Sequence, residues 1–216
     1  MAKELKRNLG YGITYSGTLG RINAASFHAQ DAAALLTALR AFLSFARGAA
    51  CGVTLVEGES ASGQKSWVRW GAHHTEPWDR NLSWFRELDG ADVLSTLFPQ
   101  FIERTEEDKG KGRSLLRALD WYTQSNVTAP YIGIILTLAS LERLAALKLE
   151  RTTTPKEPAG QFIQAALEQS GIPSQIPAEC TALAKVGRDW EHGPHAVTSI
   201  RNDLVHSTER LSLIHI

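Results

Sequence analysis

From about residue 79 onward the chain carries no strand pattern: apolar residues recur at helical spacing in one segment after another, and the links between segments are short. Such segments can bury their apolar stripes only by packing helix on helix, so this part of the chain is constrained to helix packing. "DRNLSWFRELDG" and "ADVLSTLFPQFIERTEE" read as short helices, "RSLLRALDWYTQSN" as another, and "APYIGIILTLASLERLAALKLE" as the longest, with Pro130 in its first turn. "RTTTPKEPAG" reads as a loop, followed by "QFIQAALEQSG", "AECTALAKVGRDW" and a last helix over 195–207 introduced by Gly193 and Pro194.

Residues 11 to 71 are different. "GITYSGTLGRINAASF" alternates like one or two strands, and "GVTLVEGESASGQKSWVRWG" reads as a hairpin turning at Ser60 to Gln64. Between them "QDAAALLTALRAFLSFARG" predicts a helix with Asp31 as N-cap, a buried stripe of Leu35, Leu39, Phe42, Leu43 and Ala46, and Gly48 past its end. The expected class is therefore α+β: a mixed segment over 1–108 and an all-α bundle of four or five helices over 112–210, divided at the charged, glycine-containing "EEDKGKGR". No internal repeat or low-complexity tract is visible.

The formal net charge is zero, so no global attraction to nucleic acid or anionic membrane is expected, and such contacts would need a local patch. Cys51 and Cys180 are too few and too far apart for a disulfide scaffold, which suggests a reducing, cytoplasmic setting. No apolar run approaches the ~18 residues of a membrane span, and the longest is broken by Glu142 and Arg143. The final "LSLIHI", residues 211–216, back-translates without strain to CTG TCT CTT ATA CAC ATC, which is similar to the transposon mosaic end used in preparing sequencing libraries. These six residues are expected to be a sequencing-adapter artefact on a C-terminally truncated fragment whose natural sequence runs to about Arg210.

Several clusters offer chemistry but favour a plain structural role. "GKGRS" lacks the G-x-x-x-x-G-K-[ST] spacing of a phosphate loop and no strand precedes it, so it reads as a solvated linker. His73, His74 and Glu76, like His192 and His195 in "HGPH", are of metal-binding type, yet neither set supplies three or four ligands on an evident scaffold; no metal and no cofactor is expected. Trp67, Arg69, Trp70, Trp78, Trp84 and Arg86 are of the types that stack bases, but the alternation in "KSWVRWG" favours the core and rim of a half-buried strand. Cys51 has no neighbouring base in the sequence and reads as a buried structural thiol.

The helix "HAVTSIRNDLVHSTER" poses a sharper question. Val197, Ile200, Leu204 and Val205 form its apolar arc, and Arg201 falls inside that arc. Either the arginine stem snorkels along the core edge, or the arc faces a second helical surface. Asn202 and His206 are i, i+4 neighbours on one face. Arg69 with His74 and Arg210 with His215 share the same Arg-to-His spacing, but only Arg201 is followed by Asn.

At these residues the sequence resembles the HEPN superfamily. "IRNDLVH" is similar to the R-N-x-x-x-H signature of these helical bundles, which occur in prokaryotic toxins, anti-phage defence proteins and other RNA-cleaving enzymes. "RSLLRALDWYTQSNVTAPYIGIILTLASLERLAAL" resembles their helix pair, so the likeness spans about 112 to 210, and "LRAFLSFARG" with the hairpin after it looks like the region preceding the domain in large defence proteins. The resemblance implies a metal-independent endoribonuclease acting by 2′-OH attack, with Arg201, His206 and Asn202 as catalytic residues and Glu142 and Asp203 as supporting contacts; for Glu142 a solvated charge is an equal alternative. It also implies an RNA substrate, a homodimer through the helix of 195–207, and an antitoxin or phage-derived trigger as partner. Ser207 after the histidine is compatible with the family pattern. Some members are non-catalytic dimerisation or nucleotide- or RNA-binding modules, which is the alternative reading.

Overall fold

The structure, a computed structural model, describes residues 2–8, 11–13, 16–20, 25–26, 28–60, 62–77, 90–151, 157–185 and 190–206. Its contacts divide the chain into two units, Met1–Asp108 and Lys109–Ile216. Segment 207–216, with Ser207 and "LSLIHI", lies outside the described residues, as do Trp78, Trp84, Arg86 and all but the last residue of "DRNLSWFRELDG".

The first unit is mixed α+β, with α1 (Ala2–Arg7), α2 (Ala29–Arg47), an antiparallel hairpin of β1 (Leu55–Glu59) and β2 (Lys65–Trp70), and α3 (Gly90–Glu106). Helix α2 starts earlier than Asp31 implied: His28 is the N-cap, and Asp31 sits at N3, where its carboxylate accepts the His28 N–H at 3.4 Å. A carboxylate one turn in satisfies an otherwise orphaned amide as well as a cap residue does. Gly48 ends the helix in the left-handed region at φ 76°, donating its N–H to Ser44 O at 2.9 Å. The buried stripe is Ala32, Ala38, Phe42 and Ala46; Leu35 and Leu39 are half-buried and Leu43 is exposed. The helix is turned to present Phe42 to Phe98 and Phe101 of α3, with ring centroids 5.2 and 5.5 Å away.

The hairpin turns where its sequence predicts, with Ser60 N–H bonded to Gln64 O at 2.8 Å and Gly63 at φ 75°. By contrast, the described residues of "GITYSGTLGRINAASF" form no strand. Ile13 and Leu19 are exposed, so among the described residues the alternation has no core face to hold it.

The second unit is helical: α4 (Lys109–Ser125), α5 (Pro130–Leu149), α6 (Ala159–Gln169), a 3-10 turn at Ala178–Cys180, α7 (Thr181–Ala184) and α8 (Gly193–Val205). The tract expected as linker, "KGKGR", is instead the first turn of α4. It is held there by α5, which runs antiparallel: Lys111 Nζ reaches Glu150 Oε1 at 2.7 Å, Arg143 Nη1 donates to Ser114 Oγ at 2.9 Å, and Ser140 Oγ donates to Ala118 O at 2.8 Å. Hydrogen bonding to and the charge of the Lys111 ammonium hold the Glu150 carboxyl below its ordinary range. That tie is therefore present above the ordinary carboxylate range and loosens as acidification protonates Glu150. At the other end the helices meet closely, because a Cβ on Gly133 would lie 2.8 Å from Ser125 O.

Ala145, Phe162 and Ala166 form the centre of this unit, with Ala146 and Leu149 against them, and Leu138, Ile163 and Ala196 are also buried. The Arg151 guanidinium covers the Phe162 ring at 5.0 Å and is fixed by two bonds to Glu157, at 2.7 and 2.9 Å. Among the described residues no helix is long and apolar enough to cross a membrane.

Candidate functional site

Helix α8 begins as its sequence suggests, with His192 as N-cap and Pro194 in the first turn, where a missing N–H costs no helical bond. The residue it buries completely is Ala196, whereas Val197, Ile200 and Leu204 are half-buried and Val205 is 49% exposed. The expected apolar arc is thus only partly covered, since α8 packs on α5 and α6 through its small residue.

Arg201 lies on the α5 side of the helix. Its Nη2 donates to Glu142 Oε1 at 2.8 Å, and the two side chains are 25% and 34% exposed. The second helical surface faced by the arc is therefore α5 of the same chain. Asn202 and Asp203 face elsewhere, and His206 has left the helix at φ −105°, ψ 49°, with only its backbone N–H tied back to Asn202 O at 2.8 Å. The His206 side chain is exposed and, among the described residues, has no hydrogen-bond partner. Within one chain, then, Glu142 and Arg201 are brought together, while Asn202 and Asp203 are directed to a different site and His206 to solvent.

That different site is an open cleft of about 670 Å³. One wall is the face of α8 carrying His195, Thr198, Ser199, Asn202 and Asp203; the others come from Pro158, Gly160 and Gln161 at the start of α6 and from Trp190, Glu191 and His192. The His195 ring stacks nearly parallel on Trp190, with centroids 5.8 Å apart, and its Nε2 is bonded to Gln164 Oε1 at 2.8 Å. His192 Nδ1 lies 2.9 Å from the buried Ser174 hydroxyl. Both histidines of "HGPH", expected as ordinary surface residues, are thus built into a wall. No local signal marked them, because the partners that fix these rings, Ser174 and Gln164, lie far away in the chain.

Gly160 permits this wall. A Cβ there would lie 2.9 Å from His195 Nδ1, 3.1 Å from His195 Cα and 3.2 Å from Pro194 O. Because the ring is pinned by Gln164 and Trp190, it cannot simply swing aside. Gly160→Ala is expected to lower stability by about 1–2 kcal/mol, the overpacking cost less the helix-propensity gain of alanine, read as a shift in urea midpoint.

The remaining candidates fall apart spatially. His74 Nε2 pairs with Glu76 Oε1 at 2.9 Å, while His73 Nδ1 sits 3.5 Å from Arg40 Nη1 beside a small cavity between α2 and the hairpin. Among the described residues no group of three or more His, Cys, Asp or Glu is placed to hold a metal. Trp67 is half-buried over Gly58, but Val68 and Trp70 are exposed, so the hairpin has no buried second face. Cys51 is half-buried rather than buried, its backbone N–H bonded to Ser44 Oγ at 3.0 Å.

Fold and site together define a two-unit α+β chain whose helix α8 carries an ion-paired arginine on one face and a polar cleft on another. Residues 1–81 match the YopA central domain and residues 108–214 match the YopA C-terminal domain. The chain is also 26% identical over 214 residues to the SPbeta prophage-derived uncharacterized protein YopA of Bacillus subtilis (strain 168), a match covering 96% of this chain. It spans about half the length of that relative, 48%. No solved structure matches.

Proposed function

We propose that the helical unit is a HEPN-like, metal-independent endoribonuclease that works as a homodimer. The observation that carries this reading is the Arg201–Glu142 pair at 2.8 Å, which holds a half-buried guanidinium in place on the helix that ends in His206. Glu142 occupies one Nη2 bond, and arginine has five N–H donors, so the others remain to face developing negative charge on a phosphate. Positioning that needs no reorganisation is what makes such a charge effective. His206 supplies an exposed imidazole able to accept the ribose 2′-OH proton or protonate the leaving oxygen.

Two proton-transfer roles suggest two histidines, one from each protomer, brought together across the exposed end of α8 at Val205 and His206. Asn202 and Asp203 hold RNA rather than perform chemistry. A cytoplasmic toxin or anti-phage protein, restrained by an antitoxin or released by a phage-derived trigger, suits this activity, and the relative's prophage origin agrees with it. The test is full-length protein on single-stranded RNA in EDTA. Products ending in 2′,3′-cyclic phosphate, lost in Arg201→Ala, are expected; intact RNA, or equal cleavage by the variant, overturns the reading. One observation favours the alternative, a non-catalytic RNA-binding or dimerisation module: within one chain Arg201 is turned to α5, whereas His206 lies exposed beyond the end of α8. On that reading Arg201→Ala and His206→Ala leave RNA binding unchanged.

A further inference from the structure

We infer that the cleft between α6 and α8 is a subsite for an unpaired guanine base of RNA. The inference rests on the ribonuclease reading for its RNA source, but base binding itself does not require cleavage. At about 670 Å³ the cleft has the size of a small-ligand site. Its walls combine the two elements that grip a single base: aromatic faces and unused polar groups.

The aromatic element is the parallel Trp190–His195 stack, at an interplanar angle of 8°, with the imidazole held by Gln164. A pinned stack loses little freedom when a base packs on it. The polar element is His192, Asn202 and Asp203. Ser174, 5% exposed, fixes His192 through Nδ1. When that buried hydroxyl donates to Nδ1, Nε2 carries the proton and becomes a donor into the cleft, suited to guanine O6 or N7. Neither Asn202 nor Asp203 has a side-chain hydrogen-bond partner among the described residues, although both line the cleft.

The carboxylate of Asp203 decides which base. A carboxylate accepts two parallel N–H bonds, and guanine is the base whose pairing edge presents two adjacent donors, N1–H and the N2 amino group. Adenine and cytosine offer a donor beside an acceptor, and uracil a donor between two acceptors. That edge is occupied in a duplex, so the guanine must be unpaired. Asn202 lies four residues before His206, whose backbone N–H bonds back to Asn202 O at 2.8 Å just past the end of α8. A base seated in the cleft therefore leaves its neighbouring phosphate within reach of the end of α8.

Calorimetric titration of the full chain with guanosine, adenosine, cytidine and uridine 5′-monophosphates, and with short single-stranded RNAs containing or lacking one guanine, tests this. Guanosine monophosphate is expected to bind about tenfold more tightly than the others, and Asp203→Asn, at an exposed position, to erase that preference with an unchanged circular dichroism spectrum. The guanine-containing RNA is expected to bind more tightly than the monophosphate. Equal affinity for all four nucleotides, or a preference surviving in Asp203→Asn, overturns the subsite; equal affinity for the monophosphate and the RNA overturns the RNA source. Selective binding with no cleavage removes the ribonuclease reading alone, and cleavage with unselective binding removes the subsite alone.

Discussion

His206→Ala protein is expected to cleave single-stranded RNA in EDTA about 10²- to 10⁴-fold more slowly than the unaltered chain, the range contributed by a positioned acid or base. The side chain is exposed and makes no hydrogen bond among the described residues, so its removal touches no packing, and the urea midpoint should not move. Loss of rate without loss of stability separates a chemical role from a structural one. Mixing provides the second half of the test. If each cleavage needs a histidine from both protomers, an excess of His206→Ala chain should suppress the activity of the unaltered chain, and activity per chain should fall on dilution. A chain that sediments as a monomer and keeps full activity refutes the dimeric mechanism.

Phe162→Ala is expected to cost about 3–5 kcal/mol, the range for deleting a buried aromatic side chain. Phe162 is 1% exposed and touches the cluster of Ala145, Ala166 and Leu149 that joins α5 to α6. Its neighbours are mostly alanines, which have no flexible side chain to fill the space, so relaxation should recover little of the loss. The variant also removes the ring beneath Arg151, whose guanidinium lies 5.0 Å from its centroid. Because whole domains are stable by only about 5–15 kcal/mol, chemical denaturation of the variant should begin at markedly lower urea. A loss below about 1 kcal/mol would show that α5 and α6 close over the gap.

The elements that were legible in the sequence are those whose signals lie between near neighbours. Gly48 after a helical stripe, Pro130 and Pro194 at helix starts and Gly63 within a short turn act through local dihedral preferences, and α2, α5, α8 and the hairpin stand where those residues put them. Where a local pattern lacked a partner it failed: among the described residues the alternation after Tyr11 built no strand, because a strand is made by the chain beside it. The "KGKGR" tract failed in the opposite direction, becoming helix because α5 lies along it.

The candidate site divides in the same way. The order of Arg201, Asn202 and His206 at the end of α8 was readable from the sequence alone; that the helix would stop at Val205, before His206, was not. That Arg201 would turn to Glu142, 59 residues away, while Asn202 turned to a cleft, was not. Nor was the fate of His192 and His195, whose partners Ser174 and Gln164 lie 18 and 31 residues distant. A histidine at a helix start looks alike in solvent and in a wall, and only the packing of α6 through Gly160 against α8 distinguishes them. Helical periodicity fixes the direction of a side chain within its own helix; what waits in that direction depends on contacts across the fold, which no local pattern encodes.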